Sequence, residues 1–307
     1  MTTLRIATRE SRLALWQAEH VAARLRAAHV GLEVILVPMT TTGDQILDRT
    51  LAQVGGKGLF VKELELALLE NRADIAVHSM KDVPSELPPS LALTCMLERA
   101  DPRDAFVSNL HRDFASLPQG AKVGTASLRR QSQLLALRPD LQILPLRGNV
   151  ETRLRKLDEG QYAAIVLASA GLTRLGLAAR ITEYLDVERS VPAAGQGVVG
   201  IECRRDDAGT RALCAALNNL DAEHCVGAER AFAAKLEGSC QAPIAGFATL
   251  TEDTLTLCGV VAAPNGAQVI KQRISGPRLN CETLGVQLAE QVLALGADKL
   301  LASLRHA

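Results

Sequence analysis

The two halves of this 307-residue chain repeat one order of strands and helices. In the first half an apolar strand is followed by Thr8-Arg9-Glu10-Ser11 and a helix, and in the second half Val123-Gly124 is followed by Thr125-Ala126-Ser127 and a helix. Each half later contains an apolar strand that ends in serine, at Ser79 and Ser169. Strands that alternate with helices form parallel sheets, so we predict an α/β fold with two similar lobes and mixed or parallel sheets.

The repeat also predicts where a ligand binds. In parallel sheets, ligands bind at the carboxyl ends of the strands, often beside helix N-termini. We expect the side chains at those ends to face one cleft between the lobes. They are Arg9, Ser11, Ser79, Lys81, Asp82, Thr125, Ser127, Arg129, Arg130 and Ser169.

Two segments are predicted to link the lobes. Asp101-Pro102-Arg103-Asp104 leads into the second lobe, and Gly195-Gln196-Gly197 precedes an apolar strand that returns to the first. The predicted domains are residues 1–98 with 198–218, residues 99–197, and a smaller α+β domain over residues 219–307.

Composition excludes several classes of protein. The chain has 34 basic and 34 acidic residues, and its seven cysteines form no Cys-x-x-Cys pair, which argues against a zinc knuckle or a disulfide framework. The N-terminus lacks the apolar core of a secretory signal, and the longest apolar runs are too short to cross a bilayer. These features predict a reduced cytoplasmic protein.

Positive charge is concentrated in one segment. Residues 121–156 contain eight basic side chains against Asp140 and Glu151, which predicts a local anion site. No aromatic residues alternate with these arginines, so nucleic acid is a poor match. Loop arginines bind carboxylates through two hydrogen bonds, which favours a ligand with several carboxylates or phosphates.

Cys240 lies in the turn Glu237-Gly238-Ser239-Cys240-Gln241, between a helical segment and a strand. A thiol on such a turn is accessible, so Cys240 is a candidate nucleophile, although many free cysteines are simply buried apolar groups. The other six cysteines lie in apolar or helical segments and are interpreted as structural.

Lys81-Asp82 at a strand end is the best acid-base candidate, because a carboxylate beside an ammonium group stays ionised and can stabilise a cation. A simple turn ion pair is the alternative. Three functions remain open: an enzyme that uses Cys240 covalently on a polyanion, a non-catalytic two-lobed polyanion-binding protein, and a Cys–His hydrolase that pairs Cys240 with His78.

Seven motifs, in one order along most of the chain, carry a resemblance to a known family. They are Ala7-Thr8-Arg9-x-Ser11, Val54-Gly55-Gly56-Lys57-Gly58-Leu59-Phe60, His78-Ser79-Met80-Lys81-Asp82-Val83-Pro84, Gly124-Thr125-x-Ser127-Leu128-Arg129-Arg130, Leu146-Arg147-Gly148-Asn149, Pro192 to Gly197, and Leu236 to Pro243. With them the chain resembles the hydroxymethylbilane synthases, also called porphobilinogen deaminases.

The resemblance implies two lobes like periplasmic binding proteins and a third domain that carries Cys240. It implies a dipyrromethane cofactor, held by Cys240 through a thioether, and a monomeric cytoplasmic transferase of tetrapyrrole (heme) biosynthesis. Its substrate is porphobilinogen, and no metal, nucleic acid or membrane is involved.

The resemblance also assigns residues to roles. Asp82 is the implied catalytic residue. The implied cofactor-binding residues are Cys240, Lys81, Ser127, Arg129, Arg130, Arg147, Thr125, Asn149, Gln196 and Ser79. The implied substrate-binding residues are Arg9, Ser11, Arg153, Arg174, Phe60 and Lys57.

Overall fold

The computed structural model describes residues 3–45, 58–236 and 242–305. They fall into two compact units: residues 3–45, 58–100 and 197–223 form the first, and residues 101–196 and 224–305 form the second. The second unit therefore contains both the second lobe and the C-terminal strands. The predicted division into three domains remains a prediction.

The first unit contains a five-stranded mixed sheet. Its strands are β1 (Thr3–Arg9), β2 (Glu33–Met39), β3 (Ile75–Ser79), β4 (Leu91–Met96) and β10 (Val199–Arg204), in the order β2-β1-β3-β10-β4. Strands β1, β2 and β3 are parallel, whereas β10 is antiparallel to both of its neighbours. The segment after the second lobe thus returns to the first sheet, as the sequence predicts.

Helices cover both faces of this sheet. They are α1 (Arg12–Ala28), α2 (Thr42–Gln45), α3 (Lys62–Leu69) and α7 (Ala208–Ala215). Leu25 of α1 is buried in one core with Ile6 and Val77, and Leu64 of α3 is buried in another with Ala76. A strand covered on both faces is buried along its length, and in β3 the consecutive residues Ile75, Ala76 and Val77 are apolar and buried.

The second unit begins with a sheet of the same design. Its strands are β5 (Asp104–Val107), β6 (Lys122–Gly124), β7 (Gln142–Leu144), β8 (Ala164–Ala168) and β9 (Glu183–Leu185), in the order β7-β6-β8-β5-β9. Strands β6, β7 and β8 are parallel, and β5 is antiparallel to β8 and β9. In both sheets the antiparallel strand therefore lies between the third parallel strand and the outer strand.

The helices of the second sheet are α4 (Leu128–Leu137), α5 (Val150–Asp158) and α6 (Ser169–Arg174). Leu134 of α4 packs with Phe106 and Val123 on one face, and Leu154 of α5 packs with Ile165 on the other. In α5 the apolar residues Val150, Leu154 and Leu157 are three or four positions apart, so they share the face that packs on the sheet.

The C-terminal part is an α+β arrangement. Its elements are α8 (Leu220–Lys235), an antiparallel sheet of β11 (Ile244–Thr251), β12 (Thr254–Ala262) and β13 (Val269–Pro277), and the helices α9 (Cys281–Val292) and α10 (Asp298–Arg305). Phe232 of α8 and Leu288 of α9 are fully buried in its core. The α/β class with a smaller α+β part is as predicted.

Candidate active site

Two neighbouring strand ends bring predicted site residues together in the first unit. Strands β1 and β3 are parallel neighbours, and Arg9 and Ser79 are their last residues. Gln17 of α1 donates from Nε2 to Ser79 Oγ at 2.8 Å, which fixes the end of β3 against that helix. Arg9 and Ser79 therefore lie at the same edge of the first sheet, and the predicted cleft between the lobes stays a prediction.

The turn that carries Asp82 is held by strand β10. Met80, Lys81 and Asp82 form one 3-10 turn, in which Met80 is buried and the other two are half-buried. The Met80 amide donates to Val198 O at 3.0 Å. A Cβ on Gly200 would come within 2.1 Å of Met80 Sδ, so a larger residue there would force the Met80 side chain to move. The returning strand thus positions the predicted catalytic turn.

Three predicted substrate-binding residues also lie in the first unit. The Arg9 guanidinium carbon lies 4.4 Å from the centre of the Phe60 ring, a cation–π contact. Ser11 is the N-cap of α1, and its Oγ accepts from the Ala14 amide at 3.4 Å. Phe60 therefore orients Arg9, and Ser11 has a structural role at the start of the helix.

His78 is engaged inside the fold. Its Nε2 lies 2.9 Å from Glu202 Oε2, and both side chains are buried. The second Glu202 oxygen is buried without a hydrogen-bond partner among the described residues. Burial and the nearby Glu202 carboxylate raise the pKa of Glu65 on α3. A buried histidine that pairs with a carboxylate of the fold does not support the Cys–His hydrolase.

In the second unit, predicted residues follow strands β6 and β8. Thr125 Oγ1 accepts from the Ser127 amide at 3.2 Å, and Ser127 Oγ accepts from the Arg130 amide at 3.4 Å as the N-cap of α4. Ser169 follows β8 and donates to Arg103 O at 2.6 Å. These hydroxyl groups shape the turns from which the two arginines project.

Arg129 and Arg130 both bind one carboxylate of the chain itself. Arg129 donates to the two oxygens of Asp104 at 2.8 and 3.0 Å, and Arg130 Nε donates to Asp104 Oδ1 at 2.9 Å. Burial would raise the pKa of Asp104, but the two guanidinium groups hold it well below its usual range. The carboxylate that both arginines contact is therefore Asp104 of the chain itself, and the ligand anion that the sequence predicts for them stays a prediction.

Gln196 belongs to the same network. Its Nε2 donates to Pro102 O at 2.6 Å and to Asp104 Oδ1 at 3.1 Å, and its Oε1 accepts from Arg129 at 3.4 Å. Ser190 Oγ donates to Asp104 Oδ2 at 2.8 Å. The network therefore joins α4, the start of β5 and the segment that precedes residue 197.

The remaining arginines surround the start of α5 and the end of α6. Asn149 is the N-cap of α5, with Oδ1 accepting from the Thr152 amide at 2.8 Å. Arg147 and Arg153 are half-buried, and Arg153 Nε donates to Gly148 O at 2.7 Å. Burial lowers the pKa of Arg174 to about 10, so this guanidinium group remains cationic at neutral pH.

Two predicted residues, Cys240 and Lys57, lie outside the described residues. Helix α8 ends at Lys235, shortly before Cys240 in sequence. Among the other cysteines, five are buried and Cys281 is half-buried. Burial raises the pKa of the Cys95 thiol to about 12 and also raises that of Cys214, so neither is a reactive thiolate at neutral pH.

The sequence does not single out three acidic residues that the structure buries. It shows Asp104 in a linking segment and Glu202 within an apolar strand. Glu229 of α8 accepts from the amides of Gly195 and Ala248 at 2.7 and 2.8 Å. These acids could have been found in the sequence as charged residues within an apolar strand or beside apolar helix positions. A charged residue in such a place is rarely fully buried unless it is paired.

Within the described ranges, no cluster of three or more His, Cys, Asp or Glu side chains could hold a metal ion. Over the same ranges, no helix has both the length and the apolar character that crossing a bilayer requires.

Two family profiles match the chain. One, described as porphobilinogen deaminase, dipyromethane cofactor binding domain, matches residues 4–212, and one described as porphobilinogen deaminase, C-terminal domain, matches residues 223–294. A protein from Syntrophotalea carbinolica named porphobilinogen deaminase is 58% identical over 303 residues, which are 99% of this chain and 96% of that protein. The chain belongs to the porphobilinogen deaminase family. This confirms the family that the seven motifs predict.

Solved structures outside the porphobilinogen deaminase family are also similar. The methionine-binding protein MetQ has a TM-score of 0.45 at 17% identity, over 70% of this chain and 89% of that chain. A periplasmic substrate-binding protein of an ABC transporter from Coxiella burnetii has a TM-score of 0.45 at 14% identity, over 70% and 91%. Both TM-scores are too low for these likenesses to indicate what this chain binds.

Proposed function

We propose that this chain is a hydroxymethylbilane synthase, a transferase of tetrapyrrole biosynthesis. It condenses four porphobilinogen molecules head to tail, with release of ammonia, into the linear tetrapyrrole hydroxymethylbilane. The observation that carries this conclusion is the 58% identity to a porphobilinogen deaminase over 99% of the chain. The arrangement of the predicted site residues within each unit agrees with this function.

The family implies a dipyrromethane cofactor, and we assign its attachment to Cys240. The cofactor is a polycarboxylate, so a matching site needs cationic and hydroxyl donors. The second unit supplies such donors at the ends of strands β6 and β7: the buried pair Arg129 and Arg130, the turn hydroxyls Thr125 and Ser127, and half-buried Arg147. These residue types fit the group.

The cofactor, when bound through its thioether, supplies the pyrrole carbon to which the first substrate is joined. We assign the holding of its acetate and propionate groups to Lys81, Ser79, Asn149 and Gln196, together with the donors named above. A thioether suits this anchor because it resists hydrolysis better than an oxygen ester through repeated rounds of addition.

We assign the catalytic role to Asp82. Loss of ammonia from porphobilinogen gives a methylene-pyrrolenine that carries positive charge. A fixed carboxylate stabilises this cation through the pyrrole N–H and can exchange a proton with it. Asp82 is half-buried on a 3-10 turn whose Met80 amide donates to Val198 O, which supports this assignment.

We assign the recognition of incoming substrate carboxylates to Arg9, Ser11, Arg153, Arg174, Phe60 and Lys57. The contact between Arg9 and Phe60 supports this assignment, because it orients a guanidinium at the end of β1. We further propose that the protein is a cytoplasmic monomer that binds neither nucleic acid nor membranes. Its zero net charge is consistent with this.

Intact-mass spectrometry tests the proposal. The chain, produced in cells that make porphobilinogen, is expected to be heavier than its sequence by a two-pyrrole adduct. Cys240→Ala should remove the adduct, whereas the matched control Cys281→Ala should keep it, because Cys281 is half-buried in the C-terminal part. A wild-type chain that never carries the adduct, yet still binds polycarboxylates, would instead favour the non-catalytic polyanion-binding protein.

A further inference from the structure

Asp104 is the centre of a buried network in the second unit. Its side chain has no exposed surface, and Arg129 and Arg130 are each 5% exposed. Its Oδ1 accepts from Arg129, Arg130 and Gln196, and its Oδ2 accepts from Arg129 and Ser190. A carboxylate that accepts several charged hydrogen bonds in a buried site is held strongly in one place.

The network fixes both guanidinium groups from two sides. Arg129 donates to Val191 O at 2.7 Å as well as to Asp104, and Arg130 donates to Val166 O at 3.0 Å as well as to Asp104. An arginine side chain normally loses considerable rotamer freedom when it binds a ligand. Here most of that freedom is already lost on folding, so the two arginines are preorganised.

Asp104 is placed to act on the cofactor through these arginines. Its carboxylate is fully buried, whereas Arg129 and Arg130 are the residues to which the proposed function assigns cofactor binding. A change at Asp104 therefore acts on the cofactor through the position of the two guanidinium groups.

We propose that Asp104 is a positioning residue for the dipyrromethane cofactor, acting through Arg129 and Arg130. Its carboxylate sets the position of both guanidinium groups, so that the acetate and propionate groups of the cofactor meet an arranged cationic site. This inference rests on the proposed function and adds to it a residue that touches neither substrate nor cofactor.

Two substitutions at Asp104 distinguish the positioning of Arg129 and Arg130 from simple compensation of their charge. Asp104→Asn keeps the shape of the side chain and removes the charge, whereas Asp104→Glu keeps the charge and displaces the carboxylate by one methylene group. Asp104→Glu retains the compensating anion and therefore tests the idea even where Asp104→Asn does not fold. Asp74→Asn is the matched control, because Asp74 in the first unit also binds two arginines, Arg5 and Arg204.

The variants are produced as apoprotein in cells that make no porphobilinogen. The folded fraction of each is then incubated with porphobilinogen, and the two-pyrrole adduct is followed by intact mass. Both Asp104 variants are expected to gain the adduct at least about tenfold more slowly than the wild type, since each disturbs charged hydrogen bonds. Asp74→Asn should lower the thermal midpoint but gain the adduct at the wild-type rate.

If Asp104→Glu gains the two-pyrrole adduct at the wild-type rate, the positioning role is wrong. The charge of residue 104 alone would then explain the slower gain in Asp104→Asn. If the control Asp74→Asn also gains the adduct slowly, lost stability would explain the result in all of the variants. That outcome would overturn the positioning role as well. A wild-type chain that gains no adduct would contradict the proposed function itself, whereas normal uptake by all variants contradicts only the role of Asp104.

Discussion

The side chain of His78 is of a type that often acts in catalysis, but here it is buried and paired with Glu202 inside the fold. It is the fourth residue of β3 and pairs with Glu202, which lies opposite the neighbouring Ala76 on the antiparallel strand β10. The pair is buried behind the turn that carries Asp82. Its partner comes from a strand 124 residues away, so nothing in the local sequence identifies it.

Asp82→Ala tests the catalytic assignment. Removing one preorganised electrostatic partner of a developing charge typically lowers the rate by about 10²–10³. We expect product formation from porphobilinogen to fall by that factor while the two-pyrrole adduct on Cys240 is retained. Asp206→Asn, at an exposed carboxylate of the same unit, is the control and should leave the rate unchanged. A rate for Asp82→Ala within threefold, roughly, of the wild type would contradict the assignment.

The sequence identifies the types of these residues better than their partners. Arg129 and Arg130 both contact a carboxylate, but it is Asp104 of the chain itself, 25 residues before Arg129. Which carboxylate pairs with which arginine depends on how β5 lies in the sheet, and a local pattern does not contain that information. Ser11, Ser127 and Asn149 were located correctly at helix starts, yet only the structure shows that they are N-caps.

At the scale of single elements, the N-caps combine two tasks. A cap oxygen satisfies a backbone N–H at the start of a helix, and the same helix end attracts anions. Ser127 starts α4 immediately before the two buried arginines, and Asn149 starts α5 between Arg147 and Arg153. Substitutions at these positions therefore alter stability and anion binding together, and the choice of substitution can separate the two.

Asn149→Ala is expected to lower the free energy of unfolding by about 1 kcal/mol, because it removes the cap of α5. Asn149→Asp keeps a cap oxygen and should preserve stability, but it adds a negative charge beside the proposed carboxylate site and should slow adduct formation. Urea unfolding and intact mass, measured on both variants, check the two effects separately. Equal stability for Asn149→Ala and the wild type would show that the cap does not contribute.

A close contact joins the C-terminal sheet to α4 within the second unit. Gly266, in the turn between β12 and β13, has a φ of +71°, and a Cβ there would come within 2.3 Å of the Ala136 backbone nitrogen. Gln131 of α4 also donates to Pro264 O at 3.2 Å. The turn therefore packs directly on the backbone of the helix that carries Arg129 and Arg130.

Gly266→Ala should lower the free energy of unfolding by about 3 kcal/mol or more, because a left-handed backbone and an overpacked contact add together. Gly176→Ala is the matched control. Gly176 has a φ of +73° with no atom within 4 Å of the added Cβ, so only the backbone cost of about 1–2 kcal/mol applies. Similar urea midpoints for the two variants would contradict close packing at Gly266.

Periodicity predicts most elements but not their pairing direction. The helices predicted after Ser11 and Ser127 are observed as α1 and α4, and the apolar strand predicted after Gly197 is β10. The orientation of β5 and β10 was not predictable, because apolar runs of this length fit parallel and antiparallel neighbours equally well.

For the whole molecule, paired carboxylates determine how stability depends on pH. Burial would raise the pKa values of Asp74, Asp101 and Asp104, but their arginine partners lower all three. A folded-state pKa below the unfolded value of about 3.9 adds stability that is present above that pH and lost as the pH falls through the folded value. Glu65, whose pKa is raised, acts in the opposite direction.

We therefore expect the free energy of unfolding to be nearly constant between about pH 6 and pH 8 and to fall steeply below about pH 4. Urea unfolding at a series of pH values measures this. In Asp104→Asn the fall should be shallower, because one of the depressed carboxyl groups is gone. An unchanged slope in that variant would show that Asp104 does not contribute to the acid transition.

The position of β10 also has a consequence for synthesis on the ribosome. All five strands of the second sheet lie between residues 104 and 185, whereas the first sheet lacks its fourth strand in spatial order until residues 199–204 have emerged. Until then β3 and β4 have no partner between them, and unpaired strand edges promote aggregation. The first sheet is therefore begun first but completed after the second sheet, so its unpaired strand edges are exposed for longer during synthesis.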